Sequence, residues 1–180
     1  TRAEGARPID TEKMYDNVMN RFKWGGADHP GVYIEENTMR MCKSYRMYVF
    51  GELAQALLRE GKRDKALAVV DKAMKVLPPD NVPLDYSAII IGETYMALGQ
   101  KDKGEAILNA IIETSLRNIR WYVRLKPAQF ASVREDLQRD MAIVQNAIGI
   151  GMHYDPNYGP QYREEFTKFY NSLAPQLGNK

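Results

Sequence analysis

Residues 47–80 read MYVFGELAQALLREGKRDKALAVVDKAMKVLPPD, and residues 85–118 read DYSAIIIGETYMALGQKDKGEAILNAIIETSLRN. Laid on one another with Gly61 over Gly99, an offset of 38 residues, they coincide at Phe50/Ala88, Leu53/Ile91, Ala54/Gly92, Leu57/Tyr95, Ala66/Gly104, Val70/Leu108 and Ala73/Ile111. Each stretch predicts two helices hinged at a glycine. Apolar residues three and four apart give each helix a buried stripe, and the glycine supplies the left-handed residue that ends the first helix. Small residues at 54 and 66 let paired helices approach closely, while Phe50, Leu53, Leu57 and Val70 fill the seam.

The first stretch, with Pro78 closing it, resembles the tetratricopeptide repeat, a helix pair of about 34 residues. The second departs from that pattern, with Ile111 for a small residue and Leu116 for the closing proline, and the loop around Asn81-Val82-Pro83 takes up the longer offset. The resemblance implies antiparallel helix pairs, about 47–80 and 85–118, stacked as an α-α superhelix.

Outward from this centre, residues 1–9 are polar and small and read as a linker, and Asp10 caps a helix carrying Met14, Val18 and Phe22 until Gly25-Gly26 stops it. A loop over 27–36 follows. Asn37 is expected to cap a helix to Glu60, with Met41, Tyr45, Tyr48, Leu53 and Leu57 on its apolar side and Arg40, Lys43 and Arg46 on its wet side. Past residue 115, a helical run reaches Leu125. A single helix over about 127–152 carries the stripe Val133, Leu137, Met141, Val144, Ile148, Met152, and a last helix over 161–173 caps the stack. No stretch reads as a strand. The expected fold is all-α: one domain, 10–175, of tetratricopeptide-like pairs with extra N- and C-terminal helices, then a tail at 176–180.

The 180 residues, 44% hydrophobic and 27% charged, suit one globular domain. A net charge of +2 gives no reason to expect nucleic acid, and the longest apolar run, residues 88–91, is far too short to span a membrane. One cysteine and two histidines cannot build a thiolate metal cluster, and no Gly-rich phosphate cradle is present, so neither metal nor cofactor is expected.

The runs TEKMYDNVMNRFKWGG, ENTMRMCKSYR, GKRDKALAVVDKAMKVLPPDNVPLDYS, SLRNIRWY and MAIVQNAI resemble the C-terminal soluble region of a family of bacterial multi-pass membrane proteins of unknown function, itself similar to GT-C protein O-mannosyltransferases. That resemblance implies a domain at the periplasmic face of the inner membrane. It would be tethered through a transmembrane region upstream of Thr1, where catalysis would reside. The opening residues, without an initiator Met or a signal sequence, agree with a piece of a longer chain. No catalytic motif of that family falls on any position here, so this stretch is not expected to be an enzyme.

Among chemistry-bearing residues, Arg117, Arg120 and Arg124 recur at i, i+3 and i+7 beside Trp121 and Tyr122, with no acid between 114 and 134. Arginine forks beside aromatic faces suit carboxylate, phosphate or sugar. The competing reading packs Trp121 into the last helix pair and sets the arginines against acids of neighbouring helices. Trp24 has the same two readings, presented to a ligand or buried at a helix end. Cys42, near Lys43 and Arg46, is either a small buried hydrophobe or a thiol of lowered pKa. His29, His153 and the adjacent carboxylates Glu35-Glu36, Glu135-Asp136 and Glu164-Glu165 read as solvated or structural, since neighbours on a helix do not face one another.

The expected role is a non-catalytic interaction domain for a protein or peptide, including the upstream membrane part of its own chain. Its binding face is drawn from Arg46, Tyr48, Glu52 and Gln55 in the first pair and Tyr86, Glu93 and Met96 in the second. The alternatives are a peptide- or glycan-acceptor-binding module using the Arg117/Trp121 patch, and a free-standing adaptor.

Overall fold

The computed structural model describes residues 9–177, every ordered element among them is helical, and none is a strand. Helix α1, Thr11–Asp16, is capped by Asp10 and runs on as a π-helical turn, Asn17–Arg21. Helix α2, Glu36–Ser44, passes through a π-helical stretch, Tyr45–Gly51, into α3, Glu52–Arg59. Then come α4, Arg63–Val76; a short 3-10 turn, Tyr86–Ala88; α5, Ile89–Ala97; α6, Lys101–Tyr122; α7, Pro127–Ser132; α8, Arg134–Tyr154; and α9, Pro160–Leu177. Helix α3 packs on α4, α5 on α6, and α6 makes its most extensive contact with α8.

The aligned positions of the two stretches are all buried: Phe50, Leu53, Ala54, Leu57, Ala66, Val70 and Ala73 in one, and Ala88, Ile91, Gly92, Tyr95, Gly104, Leu108 and Ile111 in the other. Their turns match bond for bond. Gly61 and Gly99 have φ of 74° and 79°. Lys62 N–H reaches Leu57 O at 2.9 Å and Gly61 N–H reaches Leu58 O at 3.0 Å; Gln100 N–H to Tyr95 O and Gly99 N–H to Met96 O repeat these distances. This pair of bonds is the Schellman cap, which satisfies carbonyls the ending helix would leave bare. The glycine at 104 has a packing reason, since a Cβ there would lie 2.6 Å from Met96 Cγ and 3.0 Å from Gly92 O.

Several expectations are corrected. Arg46, placed on the wet side by periodicity, is wholly buried at 0% exposure, while Met41, Tyr45 and Tyr48, expected on the apolar side, are exposed. Asn37 does not cap α2; Glu35 does, its carboxylate accepting from the amides of Asn37 and Thr38. The helix expected over 127–152 is broken at Val133 (φ −110°, ψ 8°), which separates α7 from α8. Phe22 and Met152, at the ends of their stripes, are exposed. The expected linker, apart from residue 9, and the last residues of the tail, 178–180, lie outside the described residues.

The burial of Arg46 follows from what it holds. Its Nη1 donates to Pro83 O at 3.0 Å, and its Nη2 donates to Leu77 O at 2.9 Å and Val82 O at 2.7 Å. Leu77 ends α4, so one guanidinium caps that helix and fastens the 77–85 connection between the two helix pairs. Burial works against its charge, and the Asp85 carboxylate favours it. On the far side of the same connection, Asn81 donates to Ala27 O and His29 O at 2.8 and 2.9 Å, which ties down the loop after Trp24.

The first helix and its π-helical turn pack Met14, Tyr15 and the wholly buried Val18 on the core, and charge at the surface adds to their hold. Lys62 lies 2.7 Å from Glu12 and 2.6 Å from Glu60, Lys65 reaches Glu12 at 2.5 Å, and Thr11 Oγ1 donates to Glu60 at 2.8 Å. The two lysines hold Glu12 down at about 2, against a usual value of 4.5.

Replacing Arg46 by Met is expected to cost about 3 kcal/mol or more, because two buried carbonyls and a third, partly buried one lose their donor at once. Arg46→Lys should recover little, since one ammonium cannot span all three acceptors. Urea unfolding measures both; a loss below 1 kcal/mol (roughly a surface substitution) would contradict the capping role. For α1, the docked form gains from an ionised Glu12 fully above pH 4.5, and that gain disappears as the pH falls toward 2. Hydrogen exchange of the α1 amides should accelerate across that interval before the core opens, and high salt should imitate it near neutrality. Protection of α1 unchanged down to pH 2 would contradict the ionic latch.

Candidate functional site

Between the 3-10 turn, α6 and α8 the surface opens into a cleft of about 580 Å³. Thr114, Asn118 and Tyr122 recur at i, i+4 and i+8 along α6, and Arg139, Ile143 and Asn146 at i, i+4 and i+7 along α8, so each helix turns a stripe toward the other. The small side chains Thr114, Ser115 and Ala142 keep the seam from closing here. Tyr86 stands half-exposed at the rim, with Asp85 beside it.

Asp140 lies at the base of the cleft, only 6% exposed, and accepts from Asn118 Nδ2 at 3.2 Å. The Tyr122 hydroxyl is pushed above its ordinary pKa by burial, with the charges of Asp140 and Asp136 adding to the effect. Asp85 is bound by Lys43 at 2.7 Å and by the Ser87 amide at 2.9 Å. Burial opposes its ionisation, but those partners outweigh it and hold its carboxyl below the usual range. The arrangement is a wet cleft with aromatic walls and one deep carboxylate.

The residues singled out from sequence are not gathered in one place. Arg120 makes a two-pronged pair with Glu165, Nε to Oε1 and Nη2 to Oε2 both at 2.7 Å, joining α6 to α9. Arg117 is exposed and reaches Thr114 at 3.5 Å, and Arg124 lies beyond the end of α6, off the helix face that its spacing implied. Trp121 is 56% exposed and meets Tyr122 edge-on, centroids 5.5 Å apart, so it flanks the cleft rather than packing inside a helix pair.

Tyr48 is exposed on the π-helical stretch, and Glu52 is half-buried on α3. Glu93 accepts from Gln55 at 3.1 Å in a smaller groove of about 180 Å³ that Tyr154 also lines. Arg46 and Met96, expected on the binding face, are buried. Tyr86 alone of the expected face lines the larger cleft.

Trp24 is half-buried against Phe50 at 4.7 Å, and Cys42 is buried, with burial pushing its thiol pKa up despite Arg46. His29 and His153 are exposed, the latter edge-on to Tyr154. Among the described residues no three His, Cys, Asp or Glu converge on a metal site, and no helix is long and apolar enough to cross a membrane. Asp140, Asn118 and Asn146 escaped the sequence reading. The available signal was an aspartate three residues after Leu137 and four before Val144, on the apolar stripe of α8.

Comparison with protein-family models, with curated proteins and with solved structures finds no match.

Proposed function

We propose that this chain is a non-catalytic binding domain, built on two tetratricopeptide-like helix pairs, that holds a peptide segment of a protein partner in the cleft between the 3-10 turn, α6 and α8. The cleft carries the reading. Its volume falls in the ordinary range for ligand sites, and it sets polar groups around aromatic and aliphatic walls, as such sites do. The matching Schellman turns at Gly61 and Gly99 and the common burial of the aligned positions support the repeat reading.

A second reading, a glycan acceptor, is favoured by the exposed Trp121 lying against Tyr122 at the edge of the same cleft, an arrangement suited to stacking on a sugar face. The resemblance to GT-C-like membrane proteins supports a third proposal about context: a tail at the periplasmic face of a bacterial membrane, serving catalysis that resides upstream.

Titrating the isotope-labelled 180-residue chain with a mixed-sequence pool of short acetylated peptides should shift the amides of Asn118, Asp140 and Asn146 saturably. Oligomannosides in place of peptides should leave them unmoved. A sugar response that depends on Trp121 would transfer the site to the glycan reading, and silence with both would overturn the binding role of the cleft. For the context, an antibody to this domain should detect a detergent-requiring band far larger than 20.6 kDa in native cells; a soluble band near 20.6 kDa would exclude a membrane tether.

A further inference from the structure

The occupant of the cleft can be narrowed by following its charges, on the basis of the peptide reading above. Each ionic group around the cleft but one has an opposite charge to answer it. Asp85 serves Lys43 and, at longer range, the buried Arg46. Arg139, which also lines the cleft, is paired with Asp136. Asp140 is the exception: it is more than nine-tenths buried, and its donors are neutral, the Asn118 amide at a long 3.2 Å and the Tyr122 hydroxyl.

A carboxylate taken out of water without a counter-ion is costly to a fold. Its place on the apolar stripe of α8, between Leu137 and Val144, is one that an alanine or leucine would fill without that cost. The side from which a cation could approach is the cleft, since Asp140 lines it. The rest of the cleft suits the same visitor. Tyr86 and Tyr122 border it with aromatic rings, which attract a cation, and Ile143 offers an apolar surface for a methylene stem.

We propose that the cleft takes the side chain of a lysine or arginine from a partner peptide, with Asp140 as its buried counter-ion and Tyr86 and Tyr122 as its walls. The pocket thus reads one basic residue within an otherwise loosely recognised segment. Affinity would come from one charge-assisted hydrogen bond made away from bulk water, and less from the flanking backbone.

The test uses the unaltered 180-residue chain and four acetylated, amidated pentapeptides identical except at the centre, which is lysine, arginine, norleucine or glutamate. Amide shifts at Asn118, Asp140 and Asn146 report binding. The lysine and arginine peptides are expected to bind about tenfold or more tightly than the norleucine peptide, with the glutamate peptide weakest. Asp140→Asn, which keeps the shape and an acceptor for Asn118, should abolish the preference, so that the lysine and arginine peptides bind no more tightly to it than the norleucine peptide does. Tyr86→Ala, at the half-exposed rim, should weaken the basic peptides severalfold.

Equal binding of norleucine and lysine peptides to the unaltered chain would overturn the counter-ion assignment and leave the peptide site standing. Failure of all four to move these amides would overturn both. Because the ligand contrast is read on the unaltered chain, it decides the question even if Asp140→Asn does not fold.

Discussion

A guanidinium with no exposure to water organises this domain. Arg46 spends its hydrogen bonds on carbonyls of the chain that leaves α4, so a connection built from Pro78, Pro79 and Pro83, poor in amide donors of its own, acquires a fixed path. With the connection fixed, the 3-10 turn and α5 start in a defined place, Asp85 is held where it favours the Arg46 charge, and Lys43 closes over it. Asn81 extends the effect in the other direction, anchoring the loop that carries Trp24 onto Phe50. A buried ion is usually a doubtful stabiliser. Here its value is conformational: it gives a proline-rich loop one conformation.

The remainder of the architecture rests on backbone geometry more than on charge. The same left-handed glycine and the same two hydrogen bonds end α3 and α5, and the small residues that follow each turn admit close helix contact. Ion pairs then join elements at the periphery, α1 through Glu12 and α9 through Glu165. These pairs sit partly in solvent, so they orient the terminal helices without adding much to the stability of the core.

How far the chain could be read in advance divides along that same line. Helix identity, the glycine hinges and the core stripe of the two related stretches were legible because they depend on local periodicity and on residue size, which the order of residues expresses directly. The fate of Arg46 was not. Periodicity assigns an arginine among polar neighbours to solvent, and only the arrival of Leu77, Val82 and Pro83, more than thirty positions later, makes burial favourable. The cleft was hidden for the same reason. It is made by three segments separated in sequence, and its key residue, Asp140, sits in a stripe that reads as ordinary core. The Arg117–Arg124 series shows the converse, a regular spacing that looks like one surface until α6 ends at Tyr122 and Arg120 is drawn off to α9.

Helix α6, at 22 residues, is more than twice the length of α5, the helix it follows. One of its sides lies against α5 and another against α8, so neither is open to a further helix pair. An array of helix pairs lengthens by leaving the outer side of its last helix free for the next copy. In this chain α8 occupies that side, and α9 packs on α8 in turn. The domain therefore has a built-in terminus. Duplicating a helix pair after α6 would mean evicting α8 and dismantling the cleft, and growth on the α1 side would have to displace both the salt bridges of Glu12 and the packing of the wholly buried Val18.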